Sequence, residues 1–217
     1  MSRLTSTGIP VLIVAMLASA CGGGAGSSDD RSTSPAALPA GGAPPWQAPS
    51  DPMARTVAAG LKAERKEFFA IHFHAHLDVF VNGEPVEVPA GIGIDITDPG
   101  VTRFDDPGGI SYGGIELCTK RCISPLHTHD TTGVLHTEAP ANETNTLGAF
   151  FVEWGVRLDE RCVGGFCEPE APIAVYVDGE PYGGDPAEIA LENLREIAIV
   201  IGSFPSEVPS TYDFTNA

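Results

Sequence analysis

Six histidines stand in the chain, and all fall in two short stretches: His72, His74 and His76 within 71–81 (IHFHAHLDVFV), and His127, His129 and His136 within 125–140 (PLHTHDTTGVLHTEAP). Imidazole is the commonest metal ligand among side chains. H-x-H on an extended strand sets two rings on one side about 6.6 Å apart at the backbone, a gap that side chains can close onto one ion. His72 and His76 would lie about 13 Å apart, so a single ion takes two of the first three. His127, His129 and His136 then offer a three-nitrogen face on that ion or on a second one nearby. Glu138, Asp78 and Asp130 are candidate fourth ligands, or acceptors that fix the imidazole tautomers.

Nitrogen donors with nearby carboxylates suit Cu(II) and Zn(II), and copper leads in intrinsic affinity. The soft donors of a Cu(I) carrier are missing, because Met53 is the one methionine beyond the leader described below and the cysteines belong to an oxidising compartment. Two readings follow. In the first, the histidines bind copper or zinc for sequestration, delivery or resistance. In the second, they hold the ion of a metalloenzyme, a zinc hydratase or hydrolase or a copper or iron oxidase, with Glu138 as general base. No G-x-S-x-G, H-E-x-x-H or phosphate loop is present, and no Lys or Arg lies within either histidine stretch. Binding is therefore the favoured reading.

The elements that must position these rings are read from periodicity. Along 71–81 the apolar residues alternate with His72, His74, His76, Asp78 and Phe80, which predicts a strand with one core face and one imidazole face. Asn82-Gly83 predicts a primed hairpin turn. In the second stretch, a turn placing Asp130 opposite Gly133 sets His127 against His136 and His129 against Val134. Thr146 is the expected N-cap of a short helix that buries Leu147, Phe150, Phe151 and Trp154 and ends at Gly155. Asp51-Pro52 followed by 53–69 (MARTVAAGLKAERKEFF) predicts a helix over 52–69. Ile92, Ile94 and Ile96 suggest a strand, followed by a surface loop to Gly114. Residues 175–181 (VYVDGEP) echo 79–85 (VFVNGEP), so a strand-turn unit is built twice, without histidines in the second copy. Closing strands are expected at 189–191 and 196–201. The expected fold is mainly β (α+β), an antiparallel β-sandwich or partial barrel with one or two short helices.

The N-terminus has Arg3, an apolar run over 9–17 that is broken only by Pro10, and small residues up to Cys21. That describes an export signal over 1–20, too short for a membrane span of about 20 apolar residues. Residues 17–21 (LASAC) resemble the lipobox of bacterial lipoproteins. The resemblance implies cleavage before Cys21, a lipid on its sulfur, and a chain anchored at the outer face of the plasma membrane. Residues 21–50 are rich in Gly, Ser, Ala and Pro and predict a flexible tether. One domain over 51–217 remains. The net charge of −17 repels nucleic acid and anionic lipid. Cys118, Cys122, Cys162 and Cys167 predict two disulfides in an exported chain, with all three pairings open and a four-thiolate zinc site as the alternative.

Other likenesses are partial. H-T-H with a downstream Glu is similar to the cupin metal motif, though the interval holding His136 departs from it. H-F-H-x-H is similar to the zinc-ligand strand of α-type carbonic anhydrases. As a whole, 71–201 resembles a group of exported proteins carrying H-x-H-x-H and H-T-H-D-x-x-G-x-x-H, a resemblance that implies no activity.

Overall fold

The computed structural model describes residues 46–141 and 144–216. Cys21, the leader and most of the tether lie outside the described residues. Pro52 opens α1 (Pro52–Ala58), but Gly60 at φ 78° turns the chain out, and the helix expected to reach 69 ends there. The following residues are extended instead, with Glu64 N donating to Ile123 O at 2.7 Å and Glu67 N to Ile115 O at 3.2 Å. Those backbone bonds replace the helical ones.

β1 (Ile71–Val81) has the expected two faces and returns through Asn82 and Gly83, at φ 54° and 86°, into β2 (Glu84–Val86). Residues 92–96 are not a strand. Gly91 and Gly93, at φ 81° and 73°, fold them into turns that bury Ile92 and Ile94 and leave Ile96 exposed. The loop expected beyond forms the hairpin β3 (Thr102–Asp106) and β4 (Gly109–Gly113). β5 (Leu126–His127) and β6 (Val134–Ala139) pair with His127 opposite His136, as expected. The strand ends there, however, and Val134 lies opposite His76 of β1, not His129. The turn is longer than the four residues assumed.

α2 (Leu147–Trp154) begins where Thr146 Oγ1 accepts from Ala149 N at 3.2 Å and ends at left-handed Gly155. A small meander, β7 (Leu158–Asp159), β8 (Cys162–Val163) and β9 (Phe166–Cys167), carries the Cys162–Cys167 bridge. The other bridge is Cys118–Cys122, so both pairings are local and none of these four cysteines is left as a thiolate for a zinc site. β10 (Ile173–Val177), β11 (Glu180–Tyr182) and β12 (Arg195–Ile201) complete the sheet, while 189–191 contributes only an isolated bridge between Ala190 and Thr146.

The main sheet runs β11-β10-β12-β1-β6-β5, with β2 also on β1. The class is the expected one, mainly β with antiparallel sheets and short helices, and no barrel closes. β1 and β12 are the exception in pairing parallel. Alternation of side chains fixes faces and does not encode strand direction. The echoed strands β1 and β10 flank β12, and Val79 and Val175 both face Ile199. Val81 and Val177 face Ile201 and Ile197, equidistant from that point, so a local two-fold relation centred on Ile199 links the two copies.

One sheet face packs Ala75, Leu77, Val79, Ile197 and Ile199 against Leu147, Phe150, Phe151 and Trp154 of α2. Each of these large side chains contributes about 1.5–3 kcal/mol by burial. Trp46 joins them, its ring 5.5 Å from that of Trp154, so the packed chain starts ahead of residue 51. The opposite face carries the histidines, on the half of β1 that extends past the two-fold frame to pair with β6. Among the described residues no helix is long and apolar enough to cross a membrane.

Candidate metal centre

Strand register assembles the site. β6 lies between β1 and β5, so His74, His136 and His127 form one row across three strands, and His72 and Glu138 form the next. Directly opposed side chains on one face have Cβ atoms about 4.5–5.5 Å apart, close enough to share a ligand. His129 lies beyond the end of β5, yet its backbone carbonyl accepts from Tyr112 N at 2.9 Å, and β4 holds it against the row.

The protons of the inner pair are fixed by carbonyls. His127 Nδ1 lies 2.8 Å from Ser124 O, and His129 Nδ1 lies 2.5 Å from Tyr112 O. A carbonyl only accepts, so each Nδ1 carries a proton, and in the neutral ring each Nε2 is left with its lone pair. The two Nε2 atoms face each other at 3.2 Å. Two lone pairs at that separation repel unless a cation lies between them. Two nitrogens each about 2.05 Å from an ion subtend about 100° at 3.2 Å, between square and tetrahedral coordination.

Glu138 Oε1 is the hub. It lies 3.5 Å from His136 Nδ1, 3.9 Å from both His127 Nε2 and His129 Nε2, and 3.4 Å from His72 Nε2. His136 Nδ1 and Glu138 Oε2 are buried without a hydrogen-bond partner, the kind of orphan a bound ion satisfies. Among the described residues three sets of donor atoms each lie within 4.8 Å of one another: His127, His129, His136 and Glu138; His72, His74 and His136; and, away from the hub, His76, Asp78 and Glu196. These buried His/Glu clusters could hold a metal ion.

Electrostatics agree with that arrangement. Burial, joined by neighbouring imidazoles, lowers the pKa of His127 well below the usual range and that of His74 to about 4. His136 is lowered too, again mainly by burial. These rings are neutral at physiological pH, the form that ligates. Burial would also lower His129, but the facing carboxylate of Glu138, the bond to Tyr112 O and the charges of Glu138 and Glu67 raise it. Burial would raise Glu138, yet the polar N–H groups of His129 and His136 facing it and the charges of His127 and His129 hold it far below the carboxylate range. Without an ion, a proton on His129 occupies the cation's place.

His76 is set apart. Its Nε2 lies 2.8 Å from Thr132 O and its Nδ1 2.8 Å from Glu196 Oε2, with Asp78 Oδ2 at 3.7 Å. Tyr212 stacks on the ring at 3.7 Å between centroids. Both ring nitrogens thus face acceptors, which suits a protonated ring tying β1, β12, the 130–133 turn and the C-terminal segment together. Asp78 belongs to this group and not to the hub. Asp130 joins neither, because it caps its own turn by accepting from Thr132 N at 2.9 Å.

Glu67, Ser124, Tyr112, Glu153 and Glu196 were not anticipated. Glu67 Oε1 stands 3.9 Å from His129 Nε2, delivered by the extended segment that was expected to be helical. Ser124 and Tyr112 act through backbone carbonyls, which carry no signature in side-chain type. Glu153 and Glu196 did leave one: each is a lone carboxylate in an otherwise apolar run, LGAFFVEW and EIAIVI. Beside the hub, a cleft of about 530 Å³ is lined by His129, His136, Glu67, Phe104, Tyr112 and Tyr212, with no Lys or Arg in its wall.

Compared with known protein families, curated proteins and solved structures, the chain matches none of them.

Proposed function

We propose that the chain binds a transition-metal ion, Cu(II) or Zn(II), through His127, His129, His136 and Glu138, as an exported protein anchored by a lipid on Cys21. One observation carries the metal reading: Ser124 O and Tyr112 O fix two imidazoles so that their bare Nε2 atoms face each other at 3.2 Å. Copper is favoured over zinc by intrinsic affinity, and the role that fits is sequestration or delivery. The lipobox-like LASAC supports the anchor.

The test is elemental analysis of the full chain, purified without chelator or affinity tag, beside a His127→Ala, His129→Ala variant. Copper or zinc in the parent, lost in the variant, is expected. A metal-free parent under copper- and zinc-replete conditions would end this reading. Labelling with radioactive palmitate, abolished by Cys21→Ala, tests the anchor.

The cleft favours a second reading. His129 and His136 lie in its wall, so an ion held there can keep one position open to a small molecule, as a catalytic centre requires. Glu67 beside His129 is then the available base. Hydration or ester hydrolysis by the zinc-loaded chain, abolished by Glu67→Gln without loss of zinc, would select this reading over simple binding.

A further inference from the structure

The residues around the hub have a two-sided arrangement that a single ion does not use. β1 brings one H-x-H pair, His72 and His74, whose Nε2 atoms converge at 3.0 Å. The β5 side brings the other, His127 and His129, converging at 3.2 Å. Between them β6 places His136 and Glu138. His136 belongs to both sets of mutually close donors at the hub. Glu138 Oε1 is 3.4 Å from His72 Nε2 on one side and 3.9 Å from His127 Nε2 and His129 Nε2 on the other.

An ion in the inner set is already four-coordinate with three imidazoles and a carboxylate, the usual complement for zinc. His72 and His74 then remain as a preformed pair with nothing to chelate. Two of the four orphaned buried side-chain atoms among the described residues, His136 Nδ1 and Glu138 Oε2, belong to the two residues that lie between the pairs. A carboxylate has two oxygens, and an imidazole whose N–H proton is displaced to solvent by a second cation has two donor nitrogens, so each can serve one ion on either side.

From this geometry we infer that the centre holds two metal ions, one in each H-x-H pair, with Glu138 and His136 shared between them. The inference rests on the metal-binding reading. The outer ion, at half-exposed His72 and His74, is the exchangeable one, and the inner ion is enclosed.

The test loads the metal-free full chain with Cu(II), removes excess by gel filtration, and compares copper content with the spin count from electron paramagnetic resonance. The parent is set beside His72→Gln, His74→Gln and beside His127→Gln, His129→Gln, each matched to it by circular dichroism. A spectroscopically unmatched pair is replaced by its Ala counterpart. Two equivalents in the parent and one in each variant are expected. The parent's spin count should fall below its copper content, because two Cu(II) ions sharing ligands couple, while each variant returns one full spin. One equivalent in the parent, unchanged by His72→Gln, His74→Gln, overturns the second ion and leaves the first standing. Two equivalents with that variant unaffected overturn it as well, placing the extra ion elsewhere, such as at His76, Asp78 and Glu196. A full summed spin from a two-copper parent overturns the sharing. A parent that retains no copper removes the underlying reading itself.

Discussion

Glu153 is fully buried on α2, and that burial, which outweighs the hydroxyl groups beside it, decides its charge. Thr56 Oγ1 lies 3.1 Å from Pro52 O and 3.1 Å from Glu153 Oε2, but a hydroxyl has one proton. Burial pushes the carboxyl's pKa up to about 7 against the lowering by Ser124 and Thr56, and the neutral carboxyl can donate to Thr56 Oγ1 while Pro52 O takes the hydroxyl proton. Ser124 Oγ donates to the other oxygen at 2.5 Å. The sign of the linkage follows: between the unfolded value of 4.5 and about 7 the folded chain holds a proton that the unfolded chain has lost, so stability falls as pH rises through that window. Glu153→Gln keeps the shape and removes the titration. Urea unfolding at pH 5 and pH 8 should show the variant gaining about 3 kcal/mol on the parent between the two. Equal shifts in both proteins would refute a neutral Glu153. At His129 the same logic concerns the ion. Its raised pKa means an entering cation displaces a proton, so affinity should fall with acidity by about tenfold per pH unit once below that pKa. Chelator competition at pH 8 and pH 5 measures this, and a flat profile would show that His129 is not a ligand.

Among the elements, the turn at 91–94 governs how β5 meets the rest. Gly93, at φ 73°, has no room for a side chain: an added Cβ would sit 2.5 Å from Leu126 O and 3.1 Å from the Cβ atoms of His127 and Ser124. Gly93→Ala should therefore destabilise the chain by about 2–3 kcal/mol and weaken metal binding by moving His127. Gly108→Ala, in open space, serves as the control. Unchanged metal content and Tm in Gly93→Ala would show that β5 is positioned otherwise. Period-two alternation made β1, its turn and both of its faces legible, and the caps made α2 legible. The register of His127 with His136 was legible too, because one turn joins the two strands. The pairing of β6 with β1 was not, since strands distant in sequence leave no mark of their partner. Gly60 marked the end of α1, but the near-helical spacing of Val57, Leu61 and Phe68 ran past it and hid the route by which Glu67 reaches His129. Carbonyl partners such as Ser124 and Tyr112 could not be read from residue types at all.

For the whole molecule, both disulfides close short loops, with sequence separations of 4 and 5. Loops this small constrain the unfolded chain by about 2 kcal/mol each, whereas the main core lies between α2 and a sheet that contains neither bridge. Reduction in mild denaturant, followed by alkylation, should lower Tm on the order of 10 °C and leave the sheet folded at 25 °C. Loss of the β signal at that temperature would make the bridges indispensable. The relation centred on Ile199 sets a further contrast. Asn82-Gly83 and Asp178-Gly179 hold the same left-handed backbone, at φ 54° and 86° and at φ 52° and 82°. Corresponding positions in the two copies therefore face equal steric demands, but only one copy extends into the histidine rows. In a saturation-mutagenesis library selected for folding alone, Val79 and Val175 should show matching tolerance profiles. Under selection for metal retention the profiles should diverge, with the His72–His76 segment turning intolerant while the stretch ahead of Val175, where Glu170 and Pro172 stand in place of His74 and His76, stays free to vary.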